Sequence, residues 1–120
     1  MRGRKGTHVA AELFGCERKR LDDILFLKKV MDRAIRVSGL KKIRGGEKFH
    51  KFNPHGATGV VVLTSSHIAF HTWPEFGHMT IDIFACDSEE KVKKAFEYIV
   101  KSMKPKKVKK VMMKRGYVIK

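Results

Sequence analysis

Thr58, Ser65, Ser66, His67, His71, Trp73, Glu75, His78, Asp82 and Cys86 all fall in one stretch, between Asn53 and Cys86. Hydroxyl, imidazole, thiol and carboxylate are the groups that nucleophilic and proton-transfer chemistry uses. Two familiar uses of such groups fit poorly. His67 and His71 are four apart, a helical spacing for zinc, but the surrounding pattern is that of a strand, where four residues span roughly 13 Å. No paired-cysteine motif accompanies them, so no metal site is expected. A serine hydrolase needs a glycine-flanked nucleophile elbow followed by a helix, and neither surrounds Ser65-Ser66. Taken singly, Ser66 reads as a turn residue, His71 as a sheet histidine and Cys86 as a small buried hydrophobe; Phe52 and Trp73 read as core aromatics. Their joint spacing sets them apart.

These residues must be carried by a sheet. His8–Phe14 alternates, with Val9, Ala11 and Leu13 on one face. Lys41–Phe52 reads as a strand interrupted at Gly45-Gly46, and Gly59–Leu63 as a strongly apolar one. Thr64-Ser65-Ser66 breaks that run, His67–Thr72 resumes it, and Met79–Cys86 follows with Met79, Ile81, Ile83 and Ala85 on one face. A last strand is expected over Val108–Val118, kinked at Gly116. Two segments are helical. Leu21–Ser38 repeats apolar residues at three and four, with Asp22 and Asp23 in its first turn and Gly39 as its stop. The other carries Val92, Ala95, Phe96, Ile99, Val100 and Met103 on one stripe, capped by Asp87 or Ser88 and ended by Pro105. The order predicts an α+β two-layer sandwich: a mostly antiparallel sheet with two helices on one face. The other face stays uncovered, which points to dimerisation through sheet edges or faces. Ser66 and His71 are an odd number apart, so a straight strand puts them on opposite faces; chemistry between them requires a bend or bulge near Ser66.

The 120 residues suit one domain, and 42% apolar residues suffice for a core without disulfide or metal. The basic start, Met1 to Gly6, leads into no apolar signal core, and no stretch approaches the roughly 20 apolar residues of a membrane span. A cytoplasmic location with Cys16 and Cys86 as free thiols is therefore expected. The net charge of +15 concentrates at Arg2–Lys5, Arg18–Arg20 and Lys101–Lys114. It permits nonspecific contact with nucleic acid, although the aromatic-rich glycine motif of the RNA-recognition sheet is absent.

The run from Pro54 through His55-Gly56-Ala57-Thr58 to Leu63-Thr64-Ser65-Ser66-His67, and on to His71-Thr72-Trp73-Pro74-Glu75, resembles the processing and active-site region of prokaryotic S-adenosylmethionine decarboxylases. Thr80-Ile81-Asp82-Ile83-Phe84-Ala85-Cys86 is similar to that family's cysteine strand, and Gly6-Thr7-His8 with Leu13-Phe14-Gly15-Cys16 and Leu21-Asp22-Asp23 to its opening. The resemblance covers nearly the whole chain. It implies a proenzyme in which Ser66 attacks the carbonyl of Ser65, splitting the chain into 1–65 and 66–120 and leaving a covalent pyruvoyl group derived from Ser66. His71 would serve as base and Thr58 would assist processing. The pyruvoyl ketone would condense with the amine of S-adenosylmethionine and accept the electrons released with carbon dioxide. Cys86 would return the proton, Phe52 and Trp73 would hold the purine and its surroundings, and Glu75 the ribose. A homodimer with sites built from both subunits, serving polyamine and spermidine synthesis, is also implied.

The family usually cleaves between Glu and Ser, and this chain has Ser65 in the Glu position. Relatives with the same machinery decarboxylate arginine or similar amino acids, whereas Trp73-Pro74-Glu75 favours the nucleoside substrate. A non-catalytic homologue and a basic nucleic-acid-binding module are the remaining alternatives.

Overall fold

The computed structural model describes residues 5–116. Its elements are β1 (Lys5–Phe14), α1 (Arg18–Leu21), α2 (Ile24–Ser38), β2 (Lys42–Lys51), β3 (Ala57–Leu63), β4 (Ser66–Trp73), β5 (His78–Ala85), α3 (Glu89–Met103) and β6 (Lys107–Gly116). Alternation of apolar and polar side chains builds a sheet in the order β2-β3-β4-β5-β1-β6, every neighbouring pair antiparallel. Residues two apart share a face, so one set of rows is buried. Val61, Ile68, Ile83 and Val9 form one such row, and Ala57, Thr72, Met79 and Leu13 another. Onto them pack Leu27, Val30, Met31, Ala34 and Ile35 of α2, and Val92, Ala95, Phe96, Ile99 and Met103 of α3. The expected two-layer α+β sandwich is the one observed, with α1 as a four-residue addition.

Several boundaries differ for local reasons. The expected helix Leu21–Ser38 starts at Ile24, with Leu21 ending α1: Asp23 caps α2 by accepting from the Phe26 N–H at 3.0 Å, so neither Asp22 nor Asp23 lies in its first turn. Gly39, in the left-handed region at φ 86°, ends α2 as predicted. Ser88 is the cap of α3, accepting from the Lys91 N–H, and Lys104 takes a left-handed φ of 48° just before Pro105. In β2 the register against β3 shifts between Lys42 and Glu47, which is the Gly45-Gly46 interruption. β6 begins at Lys107, and the part of the expected strand beyond Gly116 lies outside the described residues.

The bend expected near Ser66 is absent. β4 pairs with β5 without a slip from Ser66↔Ala85 to Trp73↔His78. The chain completes its reversal at Thr64-Ser65, before the ladder starts, so nothing inside β4 rotates one side chain toward the other.

Candidate active site

The open sheet face carries polar and aromatic rows where the helix side carries aliphatic ones. One row runs His50, Thr58, His71, Thr80, Glu12, Lys109 across all six strands. Another runs Val62, His67, Phe84, His8, Met113. Sequence reasoning placed Thr58, His71 and Cys86 in one site with Ser66. The structure sorts them into two groups at opposite ends of the sheet.

The first group surrounds Ser65-Ser66. The Cys86 N–H donates to the carbonyl oxygen of Ser65 at 2.9 Å, one step beyond the last β4–β5 pair. An N–H on that oxygen withdraws electron density from the carbonyl carbon, which is what attack by a neighbouring hydroxyl requires. Ser66 Oγ lies 3.2 Å from His67 Nδ1. Ser65 Oγ is buried without a hydrogen-bond partner. The Cys86 thiol is half-buried and free. Cys16, by contrast, is buried, and loss of solvent pushes its thiol up to about 11, a packing role rather than a reactive one.

The second group gathers around His71. Thr58 is its direct cross-strand partner and donates to the Phe70 carbonyl at 3.0 Å. The His71 ring stands 4.3 Å from Trp73 and 5.5 Å from Phe52, centroid to centroid. Trp73 stacks at 5.0 Å on His78, which stacks at 4.9 Å on Phe14 and reaches Glu12 at 3.2 Å. Glu75 is exposed on the single-turn 3-10 helix Pro74–Phe76 that follows Trp73. Phe52 is held by the loop after β2, where its N–H donates to Gly56 O at 2.8 Å. Asp22 anchors that loop, accepting from the Gly56 N–H at 2.9 Å and pairing with Lys51 at 2.8 Å and His55 at 3.3 Å. The Lys51 ammonium foremost, with the Gly56 N–H and His55, holds the Asp22 carboxyl down to about 2.

Ser66 and His71 stand five steps apart along β4, roughly 16 Å at 3.3 Å per residue, and on opposite faces, Ser66 opposite Ala85 in the helix-side rows and His71 opposite Thr80 in the open-face rows. The clusters are therefore distinct within one protomer. Three features escaped the sequence reading. They are the His67 ring beside Ser66 Oγ, the loop anchor at Asp22 and the 2.9 Å contact of His8 with Asp82. Period-two alternation puts His8, His67 and Asp82 on the open face, so that signal was available for the outer rows; the Asp22 anchor depends on a contact 34 residues away.

A six-stranded antiparallel sheet layered by helices on one face, with histidines and aromatic rings in rows on the other, defines the α+β class of this chain. The chain belongs to the S-adenosylmethionine decarboxylase family, whose profile matches residues 7–116. It is 42% identical over 113 residues to the S-adenosylmethionine decarboxylase proenzyme of Sulfurihydrogenibium sp. (strain YO3AOP1), covering 94% of this chain and 84% of that protein. The proenzyme of that name from the archaeon Methanococcus maripaludis is 41% identical, with 94% and 91% covered. The crystal structure of the adenosylmethionine decarboxylase from Aquifex aeolicus superposes with a TM-score of 0.91 at 35% identity, covering 99% of this chain and 96% of that one.

Proposed function

We propose that the chain is a self-processing, pyruvoyl-dependent S-adenosylmethionine decarboxylase that cleaves itself between Ser65 and Ser66. The observation that carries this reading is the Cys86 N–H on the Ser65 carbonyl at 2.9 Å. Ser66 Oγ attacks that carbonyl and replaces the amide with an ester, freeing the Ser66 nitrogen. Removal of the Ser66 α-proton then expels residue 65 as a carboxylate and leaves a double bond on residue 66. Water completes the change to a ketone with loss of ammonia. His71 is the base, and Thr58 positions its strand beside it. The first-formed oxyanion sits where the Cys86 N–H already points.

The surroundings suit the resulting group. Residue 66 stays paired with Ala85, beside the half-buried Cys86. When present, that ketone supplies the electron sink for loss of carbon dioxide. Cys86 holds the proton that returns to the substrate carbon. Phe52 and Trp73 offer ring faces to adenine and the sulfonium, and Glu75 a carboxylate to the ribose. The product is the aminopropyl donor of spermidine synthesis.

The separation of the two clusters is met by a homodimer through the open faces. Val60 and Val62 of β3 are exposed on that face, a distribution that favours burial against a second copy. A two-fold axis across it lays the Ser65–Ser66 and Cys86 end of one protomer against the Thr58, His71 and Phe52 end of its partner. Intact-mass measurement of the purified protein tests the proposal. Two fragments, 1–65 and 66–120, with a hydrazine-reactive keto group on the second are expected. A chain still whole at 13.8 kDa after prolonged warm incubation refutes it.

A further inference from the structure

The charge of +15 plays no part in this chemistry, because S-adenosylmethionine carries a sulfonium and a positive field repels it. The excess has a location. No Asp or Glu follows Glu97, and Lys101, Lys104, Lys106, Lys107, Lys109 and Lys110 crowd the next stretch. All six are exposed, and among the described residues none of them has an ion-pair partner. They run from the C-terminal turn of α3 into β6, which is an edge of the sheet. Lysines deter edge-to-edge pairing, and cations suit a helix C-terminus. Those devices need a few charges, whereas six without an acid among them pay a self-repulsion that a monomeric fold does not require.

We infer that this strip, the edge of β6 with the end of α3, docks the phosphodiester backbone of nucleic acid without reading its sequence. The ten residues of β6 extend about 33 Å at 3.3 Å per residue, close to one turn of a duplex at about 34 Å. Lys107 and Lys109 project on the open-face side and Lys110 on the helix side, so a backbone lying along the edge meets cations from both. Between them, alternate N–H groups of the edge strand point outward as further phosphate donors. A straight, narrow row of charge fits a line of phosphates better than the plane of a membrane. The inference stands whether or not the chain cleaves itself.

The test is titration of a 24-base-pair DNA duplex against salt, read by fluorescence anisotropy. With about five phosphates neutralised, log affinity falls with log salt at a slope of about −4.5, roughly 500-fold between 50 and 200 mM. Changing Lys106, Lys107, Lys109 and Lys110 together to Gln should bring the slope to about −1, whereas the four Arg changes should preserve it. Gln at Lys28, Lys29, Arg33 and Arg36 on α2 removes equal charge elsewhere and should leave the slope near that of the parent. Equal losses from both Gln sets would overturn the inference, since net charge alone would then suffice. So would the absence of binding, or equally tight binding to phosphatidylserine vesicles. If the quadruple Gln protein aggregates, Lys107→Gln and Lys109→Gln are read singly; each should flatten the slope by about 0.9, and an unchanged slope overturns the inference.

Discussion

Mixing two inactive variants gives the sharpest test of where the active site is built. Ser66→Ala removes the attacking hydroxyl, and His71→Ala the imidazole roughly 16 Å along the same strand. If both acted within one protomer, no combination of the two proteins could cleave. If the site forms across a two-fold axis, a mixed dimer holds one site lacking both groups and one holding both. Random pairing makes about half of the dimers mixed, and one of the two sites in each is complete. About a quarter of all chains should therefore be cut, and all of the cut chains should carry His71→Ala, because only they retain Ser66. Co-expression with tags of different mass, followed by intact-mass measurement, reads both the fraction and the identity of the cut chain. Absence of cleavage in the mixture, with folding confirmed for each variant, would refute assembly in trans; efficient cleavage of His71→Ala alone would remove His71 from the account.

Other outcomes follow from single contacts. Cys86→Ala keeps the backbone N–H on the Ser65 carbonyl, so fragments should still appear on a denaturing gel, while carbon dioxide release falls by about 10²-fold or more. Ser65→Ala removes a buried hydroxyl that lacks a partner; it should raise stability by about 1 kcal/mol in urea unfolding and leave the cut before residue 66. Asp22→Asn should cost about 1 kcal/mol once solvent screening is counted. Because the folded Asp22 pKa lies at about 2, below the ordinary value near 3.9, its contribution is complete above pH of about 4 and disappears as pH falls toward 2. Melting temperatures of parent and variant should converge across that window and stay apart above it.

The layers were legible because burial writes itself into period. Val9, Ala11 and Leu13 alternate, and Val92, Ala95, Phe96 and Ile99 recur at helical spacing; both sets are buried where expected. The junction at Asp22-Asp23 was not legible, since acids there suit a helix first turn as well as a cap plus a loop anchor. What decided it was Gly56, 34 residues away in sequence. The chemical cluster was legible as a composition and through its family likeness, but not as an arrangement. Residue spacing correctly put Ser66 and His71 on opposite faces; the assumption that one protomer must nevertheless unite them produced the unobserved bend.

The strand order has a consequence for a cut molecule. Residues 1–65 supply β1, β2 and β3, and residues 66–120 supply β4, β5 and β6, yet β1 lies between β5 and β6. The two pieces would be interleaved across three ladders, β3–β4, β5–β1 and β1–β6, so severing the covalent link releases nothing. Separation would demand complete unfolding, and reassembly would become a second-order event whose yield depends on concentration. Maturation would thus convert a self-sufficient folder into a protein that must survive on its kinetic persistence.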